Sequence, residues 1–235
     1  ELFQTVQNAD KAELTETKKR SPQSPGRLYD LTTLQREANR LHHYPASRTL
    51  QIAQSLYERH KVITYPRTDS KALPEDYAPT CKNLLESISG ELAQYAQKAL
   101  QSDWVDEKNK KIFNNKQISD HFAIIPTSTS PAKLDANERK IYNLITKRFI
   151  SVFYPPAQWD VTTRTSTLSG LDFKTEGRVL VEPSWLAIYG KDNQPEDTLP
   201  ALSSADNDQA NVIKSELEKD QTKPPPRYSE ATLLS

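Results

Sequence analysis

The sequence of 235 residues predicts an α+β fold, in which a helical segment of roughly residues 28–154 interrupts β-rich material. Two helices are indicated by apolar residues at helical spacing. One stripe consists of Ala46, Leu50, Ala53, Leu56 and Tyr57, and the other of Ile141, Leu144, Ile145, Phe149 and Val152. From residue 159 to residue 168 the pattern changes to alternation, which is typical of a strand.

Capping and proline signals delimit the first helices of this segment. Thr32 and Gln35 fit a capping box that opens one helix, and Pro45 suits the first turn of the next. Residues 62–65 then predict a short strand that ends at Pro66. Two helices, a tight turn and a strand are typical of a helix-turn-helix with a wing and equally of an ordinary helical hairpin, so both remain open.

Further signals complete the helical segment. A proline followed by two acids predicts a helix that begins at Leu73 and ends near Gly90, followed by a second helical stretch. Asp135 and Glu138 form another capping box, directly before the second apolar stripe. The helical segment is therefore expected to contain at least five helices.

Strands are predicted on the other side of that segment. Residues 173–175 and 178–181 indicate two short strands around Gly177. The first 27 residues are polar and are predicted to end in a loop. Near the other end, three consecutive prolines predict a stiff extended linker, and Ser229 is expected to begin a helix.

Composition bounds the class of protein. Lys and Arg number 31, as do Asp and Glu, so the net charge is zero. Residues 18–67 carry ten basic against three acidic side chains, which indicates either a face for phosphates or an ordinary solvated surface. A single cysteine excludes an internal disulfide and suits a reducing compartment. The sequence contains no apolar run long enough to predict a membrane span. The lack of methionine predicts that the chain is a fragment of a longer protein.

A candidate nucleophile lies at the end of the predicted strand. Side chains two apart on a strand share a face, so Tyr65 and Arg67 would point the same way if the strand continued. A phenol has a pKa of roughly 10 and is a poor nucleophile at neutral pH. A guanidinium beside it would favour the phenolate and grip a phosphate, and Asp69 could hold Arg67 in place. The alternative is a packed structural tyrosine, one of ten in the chain.

His121 heads a second candidate segment. It precedes an apolar run that ends at Pro126, a pattern that predicts a buried strand whose first residues reach the surface. The imidazole could donate a hydrogen bond to a phosphate, or it could be structural. His42 and His43 lack metal-ligand spacing, which excludes a zinc site there. Five glycines form no Gly-rich phosphate loop.

Five segments together resemble the type IA DNA topoisomerases, and they occur in that family's order. They are residues 28–39 (LYDLTTLQREAN), 63–70 (ITYPRTDS), 120–127 (DHFAIIPT), 173–181 (FKTEGRVLV) and 224–234 (PPPRYSEATLL). The second resembles the nucleophile motif of the family and the third its histidine motif. The last two are similar to segments of the bacterial topoisomerase III branch.

The resemblance implies an enzyme that cuts one DNA strand, keeps a 5′-phosphotyrosine link, passes another strand through and reseals. Tyr65 would be the nucleophile, Arg67 would hold the scissile phosphate, and His121 would contact the DNA backbone. Supporting or DNA-binding roles would fall to Thr64, Asp69, Ser70, Arg36 and Arg48. Lys61 and Val62 stand where relatives often have glycine and leucine, which we expect to be tolerated.

The same resemblance implies parts that the sequence lacks. The family carries a Toprim domain with acidic residues for Mg²⁺, and nothing here matches it. We therefore expect this fragment alone to be inactive, and the intact enzyme to need Mg²⁺ but no ATP. Residues 1–27 and 155–222 would form part of a β-rich arch domain. Residues 28–154 would form a winged-helix-like domain, and residues 223–235 would begin the next domain.

The implied partners are single-stranded DNA and the missing domains of the same chain, with no membrane. The oligomeric state stays open, and a monomer is expected. The implied location is the bacterial cytoplasm, at the nucleoid. A competing hypothesis is a non-enzymatic winged-helix DNA-binding module. It would use the basic residues Arg36, Arg40, Arg48 and Arg59, and its binding would be salt-sensitive but indifferent to Tyr65→Phe.

Overall fold

The computed structural model describes residues 2–7, 9–190, 199 and 208–234. The helices are α1 (Leu2–Gln7), α2 (Leu31–His42), α3 (Ala46–Glu58), α4 (Ala78–Ser87), α5 (Ala93–Gln101), α6 (Ala136–Ser151) and α7 (Glu230–Leu233). The strands are β1 (Lys11–Gln23), β2 (Ala157–Leu168), β3 (Leu171–Glu182) and β4 (Gln209–Asn211). Short 3₁₀ helices occupy Gly90–Leu92, Asn115–Gln117 and Ser184–Tyr189. The predicted α+β class is confirmed.

The chain divides into two compact units. One comprises residues 1–23, 157–184 and 191–225, and the other comprises residues 24–156, 185–190 and 226–235. The described part of the first unit is built on the strands, and that of the second on helices α2 to α6.

The first unit contains a four-stranded antiparallel sheet in the order β3-β2-β1-β4. Strand β1 pairs with β2 from Glu13 opposite Thr167 to Gln23 opposite Ala157. A two-residue turn, with positive φ at Ser169 and Gly170, joins β2 to β3, and its backbone twist suits a tight hairpin. A small apolar cluster of Val6, Ala12, Leu14 and Leu168 lies at one end of the sheet.

The strand predictions need two corrections. The polar first 27 residues contain the long strand β1, whose pairing with β2 reaches Gln23 and takes up residues 21–23 of the loop expected at residues 21–26. The two short strands around Gly177 are one continuous strand, because Gly177 stays in register opposite Thr162. In both places the neighbouring strand supplies backbone partners to residues with low β propensity.

The second unit packs its helices around two apolar clusters. One joins α2, α3 and α6 with Tyr29, Ile63 and Ile124. The other joins α4 and α5 to the second half of α6, and includes Phe113 and Phe149. The predicted capping box of Asp135 and Glu138 is confirmed at the start of α6, and every residue of the second apolar stripe is buried.

The start of α2 differs from the prediction. Its N-cap is Asp30 and not Thr32, and the capping box pairs Asp30 with Thr33. The Asp30 carboxylate accepts a 2.7 Å hydrogen bond from the Thr33 backbone N–H, because its extended backbone places the side chain over the first turn. The sequence pattern with Gln35 misplaced the helix start by two residues.

Helix α4 and residues 62–65 also differ from the sequence predictions. The fourth helix begins at Ala78 and not at Leu73, because Leu73 exchanges backbone hydrogen bonds of 2.8 and 2.9 Å with Ile112 and Asn114. Residues 62–65 form no regular strand, and a single bridge joins Ile63 to Pro126. The expectation that a strand aligns Tyr65 with Arg67 is therefore wrong.

Candidate active site

Tyr65 lies between two other aromatic rings in the second unit. Its ring centroid is 4.3 Å from that of His121, at an interplanar angle of 47°. On another side, Tyr57 of α3 meets it at 5.3 Å and 78°, an edge-to-face arrangement. Tyr65 is half-buried and His121 is exposed. The structure therefore brings together two of the three residues predicted to be catalytic.

Backbone hydrogen bonds hold the Tyr65 and His121 segments side by side. Thr64 donates its N–H to Ile125 at 3.0 Å, and Thr127 donates to Val62 at 2.9 Å. The Thr64 hydroxyl donates to the Ala123 carbonyl at 2.9 Å and accepts from the Ile125 N–H at 3.0 Å. Because the apolar parts of both segments are buried, Tyr65 and His121 are left at the open end of the pair.

Two buried hydroxyl groups form further hydrogen bonds between the two segments, beyond Tyr65. Thr68 donates to the His121 carbonyl at 2.7 Å, and Ser70 donates to the Gln117 carbonyl at 2.8 Å. Both side chains are under 9% exposed. Thr64 and Ser70, predicted as supporting residues, thus direct their hydroxyl hydrogens into the protein.

Arg67 is exposed, and α3 holds its guanidinium. With the Gln54 amide turned so that its oxygen faces Arg67, that oxygen accepts from Nη2 at 2.9 Å and from Nε at 3.2 Å. Gln54 and Tyr57 are three apart on α3 and therefore share a face. One helix face thus contacts both Arg67 and Tyr65.

Asp69 does not hold Arg67, contrary to the prediction. Its carboxylate instead accepts a 3.1 Å hydrogen bond from the hydroxyl of Ser119. The alternation that would have aligned the two side chains is lost, because the chain leaves extended geometry around the buried Pro66.

The predicted DNA-binding arginines lie on the helices before the site. Arg36 is half-buried on α2 and lines a cavity of its own, and Arg48 is exposed in the first turn of α3. Neither has a described contact with the Tyr65–His121 pair. Another basic residue, Lys71, lies 3.5 Å from the Asp30 carboxylate at the start of α2.

No three His, Cys, Asp or Glu side chains in the described ranges are grouped so as to hold a metal ion. Likewise, none of the helices described is long and apolar enough to cross a membrane.

Sequence reasoning missed three side chains of this site: Gln54, Tyr57 and Thr68. Gln54 and Tyr57 carried a usable signal, because their spacing on a predicted helix places them on one face. Thr68 had none, since its partner is the backbone of His121, far away in sequence.

The whole chain, residues 1–235, matches a protein family described as DNA topoisomerase. A protein named DNA topoisomerase 3 from Bacillus licheniformis is 40% identical over 221 residues, covering 90% of this chain and 30% of its own length. The protein of the same name from Bacillus subtilis is 40% identical over 234 residues, covering 95% and 31%. The chain thus spans about a third of the length of these curated relatives.

Full-length topoisomerase I from Thermotoga maritima has a similar structure. The TM-score is 0.69 at 22% sequence identity, and the match covers 99% of this chain and 38% of that one. At this identity the likeness concerns the fold alone.

Proposed function

The chain belongs to the type IA DNA topoisomerases, and we propose that Tyr65 is the nucleophile with which such an enzyme cleaves and rejoins one DNA strand. The observation that supports this most directly is the state of the Tyr65 side chain. Its ring is fixed between Tyr57 and His121, while no group in the described ranges hydrogen-bonds its hydroxyl. A positioned ring with an uncommitted hydroxyl suits attack on a bound phosphate.

In the proposed reaction, the Tyr65 oxygen attacks the scissile phosphorus and forms a new phosphate ester. The bond from phosphorus to the 3′ oxygen breaks, and the phenolic proton is lost as the 3′ oxygen leaves as a hydroxyl. The product is a 5′-phosphotyrosine and a free 3′ end. Resealing reverses these steps, and because one ester replaces another, no ATP is required.

Arg67 would hold the scissile phosphate and stabilise its developing charge. Its contact with Gln54 supports this role, because a guanidinium held at Nε and one Nη2 hydrogen still has donors free for phosphate oxygens. His121, which contacts the nucleophile ring and is exposed, would donate to the neighbouring DNA backbone. Thr64, Asp69 and Ser70 would support the site, and Arg36 and Arg48 would bind DNA.

We further propose the organisation that the resemblance implies. Residues 28–154 would form the winged-helix-like domain, inserted between the arch segments 1–27 and 155–222, and residues 223–235 would begin the next domain. The chain spans about a third of its relatives. Strand passage would accordingly require the remaining domains, and this chain alone would be inactive. Its substrate would be single-stranded DNA in the bacterial cytoplasm, and the full-length enzyme would act as a monomer.

Magnesium would supply electrostatic stabilisation of phosphates in that enzyme. The described residues of this chain offer no fitting ligand group. On the resemblance alone, we assign the ion to the Toprim domain, and no step above passes through it.

The test is covalent adduct formation in a protein of the relatives' full length that includes this chain. Labelled single-stranded DNA should remain attached after denaturation, and Tyr65→Phe should abolish the adduct. Tyr57→Phe is the matched control, since it removes a neighbouring hydroxyl and keeps the ring, and the adduct should persist. An adduct that survives Tyr65→Phe would refute the nucleophile assignment and indicate another nucleophile. DNA binding without any adduct in the unsubstituted protein would favour the non-enzymatic DNA-binding alternative.

A further inference from the structure

A cavity of about 370 Å³ lies in the second unit, between α2 and α7. Its charged lining consists of Arg36, Glu37 and Arg40 of α2 and Arg148 of α6. Three guanidinium groups thus face one carboxylate. Because arginine stays protonated in proteins, the lining carries an excess of two positive charges.

Arg148 is fixed in place. Its Nη2 donates to the Glu37 carboxylate at 2.6 Å, and its Nη1 donates to the Arg27 carbonyl at 2.9 Å. The guanidinium also lies over the ring of Tyr29, 4.4 Å from the centroid. Both Arg148 and Glu37 have side chains that are 16% exposed. Contacts within the protein therefore hold the side chains on this side of the cavity in position without a ligand.

Both oxygens of the Glu37 carboxylate already pair with other arginines. One oxygen accepts from Arg148, and the other accepts from Arg40 at 3.3 Å. No acid in the lining is then left for Arg36, and none of the described residues supplies its guanidinium with a hydrogen-bond or ion-pair partner. A half-buried guanidinium without such a partner is costly to desolvate, so an anionic ligand would relieve that cost.

Helix α2 contacts the candidate active site at its first residue and lines the cavity with later residues. The Leu31 N–H, in the first residue of that helix, donates to the Thr68 carbonyl at 3.0 Å. Asp30, its N-cap, lies 3.5 Å from Lys71. Arg36 and Arg40 follow on one face of the same helix, about 6 Å apart along its axis. The helix that begins beside the Tyr65 segment therefore carries these cations away from it.

We propose that this cavity is a phosphate-binding subsite that holds a backbone phosphate of the DNA strand, at a distance from the phosphate that Tyr65 attacks. This inference rests on the proposed function for the identity of the strand. Arg36 is the principal ligand, because guanidinium forks match phosphate oxygens. Arg148 supplies fixed positive charge beside it, and Arg40 completes the rim.

The test measures binding of a fluorescein-labelled oligo(dT) of about 12 nucleotides by fluorescence anisotropy, at salt concentrations from about 50 to 200 mM. Arg36→Gln should weaken binding about tenfold, the typical loss of one charge-assisted hydrogen bond. It should also reduce the slope of log K against log salt by ~0.7, the contribution of one phosphate contact to a single strand. Arg36→Lys keeps the charge and should keep the slope.

Lys98→Gln is the matched control, because it removes one positive charge from an exposed position of α5, outside the cavity lining. Its binding should stay within about twofold of the unsubstituted chain, since an exposed charge that touches no phosphate contributes little. If Arg36→Gln and Lys98→Gln gave the same affinity and the same slope, the subsite would be refuted.

A second experiment tests whether the cavity binds a phosphate of a DNA strand or a free nucleotide. Titration with dTMP should show binding at least a hundredfold weaker than the oligonucleotide. If dTMP bound in an Arg36-dependent way while oligonucleotide binding ignored Arg36→Gln, the cavity would be a nucleotide site and the proposal would be wrong. The nucleophile assignment is read separately, from the covalent adduct of the full-length protein with and without Tyr65→Phe, so its failure is distinguishable from a failure of the subsite, which is read from Arg36-dependent binding.

Discussion

The hydroxyl of Thr68 donates a 2.7 Å hydrogen bond to the backbone carbonyl of His121. This bond joins the segment that carries Tyr65 to the segment that carries the ring against which Tyr65 packs. The same oxygen accepts from the Ser70 N–H at 3.1 Å. The Thr68 side chain therefore adds to the backbone and Thr64 hydrogen bonds that hold the two proposed active-site residues together.

Thr68→Val should lower the free energy of unfolding by about 1–3 kcal/mol, because it leaves the His121 carbonyl and the buried Ser70 N–H without their partner. Denaturant unfolding of the chain measures this loss. Thr68→Ser is the control, since it retains the hydroxyl and should lose only about 0.8 kcal/mol for one methyl group. Equal losses in both variants would show that packing, and not the hydrogen bond, is what matters at this position.

Arg67→Ala should slow DNA cleavage in the full-length protein by ~10²-fold, the usual loss when one transition-state donor is removed. Single-turnover formation of the covalent adduct measures the rate. Arg67 is exposed, so folding should be unaffected, and a normal thermal melt would verify this. Arg67→Lys should recover part of the rate, because it restores the charge without the bidentate geometry. A normal rate in the alanine variant would remove Arg67 from the mechanism.

Glu138 should make the second unit sensitive to acid. Burial alone would raise the pKa of its carboxyl, but hydrogen bonds from Ser55, the Asp135 backbone and His60 lower the pKa below its usual value. A lowered folded-state pKa means that the stabilisation is complete above the ordinary glutamate pKa, and that it is lost as the pH falls through the folded-state value.

Glu138→Gln should therefore reduce stability at neutral pH and make little difference in strong acid. Unfolding measured from pH 7 downward, with the exposed Glu107→Gln as control, would show the convergence. A stability difference between Glu138→Gln and the unsubstituted chain that stays constant with pH would contradict the ionic role of Glu138.

Cys81, the single cysteine, should not react with thiol reagents in the folded chain. It is fully buried, and burial raises the pKa of its thiol to about 12, so almost no thiolate forms at neutral pH. Ser102→Cys adds an exposed thiol at the end of α5 and should react at once, while Cys81 waits for unfolding. Rapid labelling of two thiols in that variant would show that the cluster around Cys81 opens readily.

Lys61→Gly should raise the free energy of unfolding by up to about 1 kcal/mol. Lys61 has φ of 57°, a left-handed conformation that costs a non-glycine residue roughly 1–2 kcal/mol, and the flexibility of glycine in the unfolded chain offsets part of the gain. Lys61→Ala keeps the strain and loses the ammonium that lies 5.4 Å from the Tyr57 ring centroid, so it should be slightly destabilising. Identical effects of both substitutions would rule out backbone strain at this position.

Local patterns in the sequence were sufficient for much of the fold. The apolar stripe and capping box of α6 depend on residues three and four apart, and they predicted this helix correctly. Long strands of polar residues were less predictable. Thr15 and Thr17 of β1 form a strand because Thr165 and Thr163 of β2 lie opposite them, and such a partner cannot be read from the strand itself.

The α+β class, the main helices and the family of this protein follow from its sequence alone, because short-range spacing and motifs in a fixed order encode them. The contacts of Tyr65 with His121 and of Arg67 with Gln54 were decided only by the tertiary structure. Both contacts join residues from separate elements, and they exist because Ile63 and Ile124 are buried in the same core as α3. Packing of distant apolar residues, which no local pattern encodes, sets the geometry of the candidate active site.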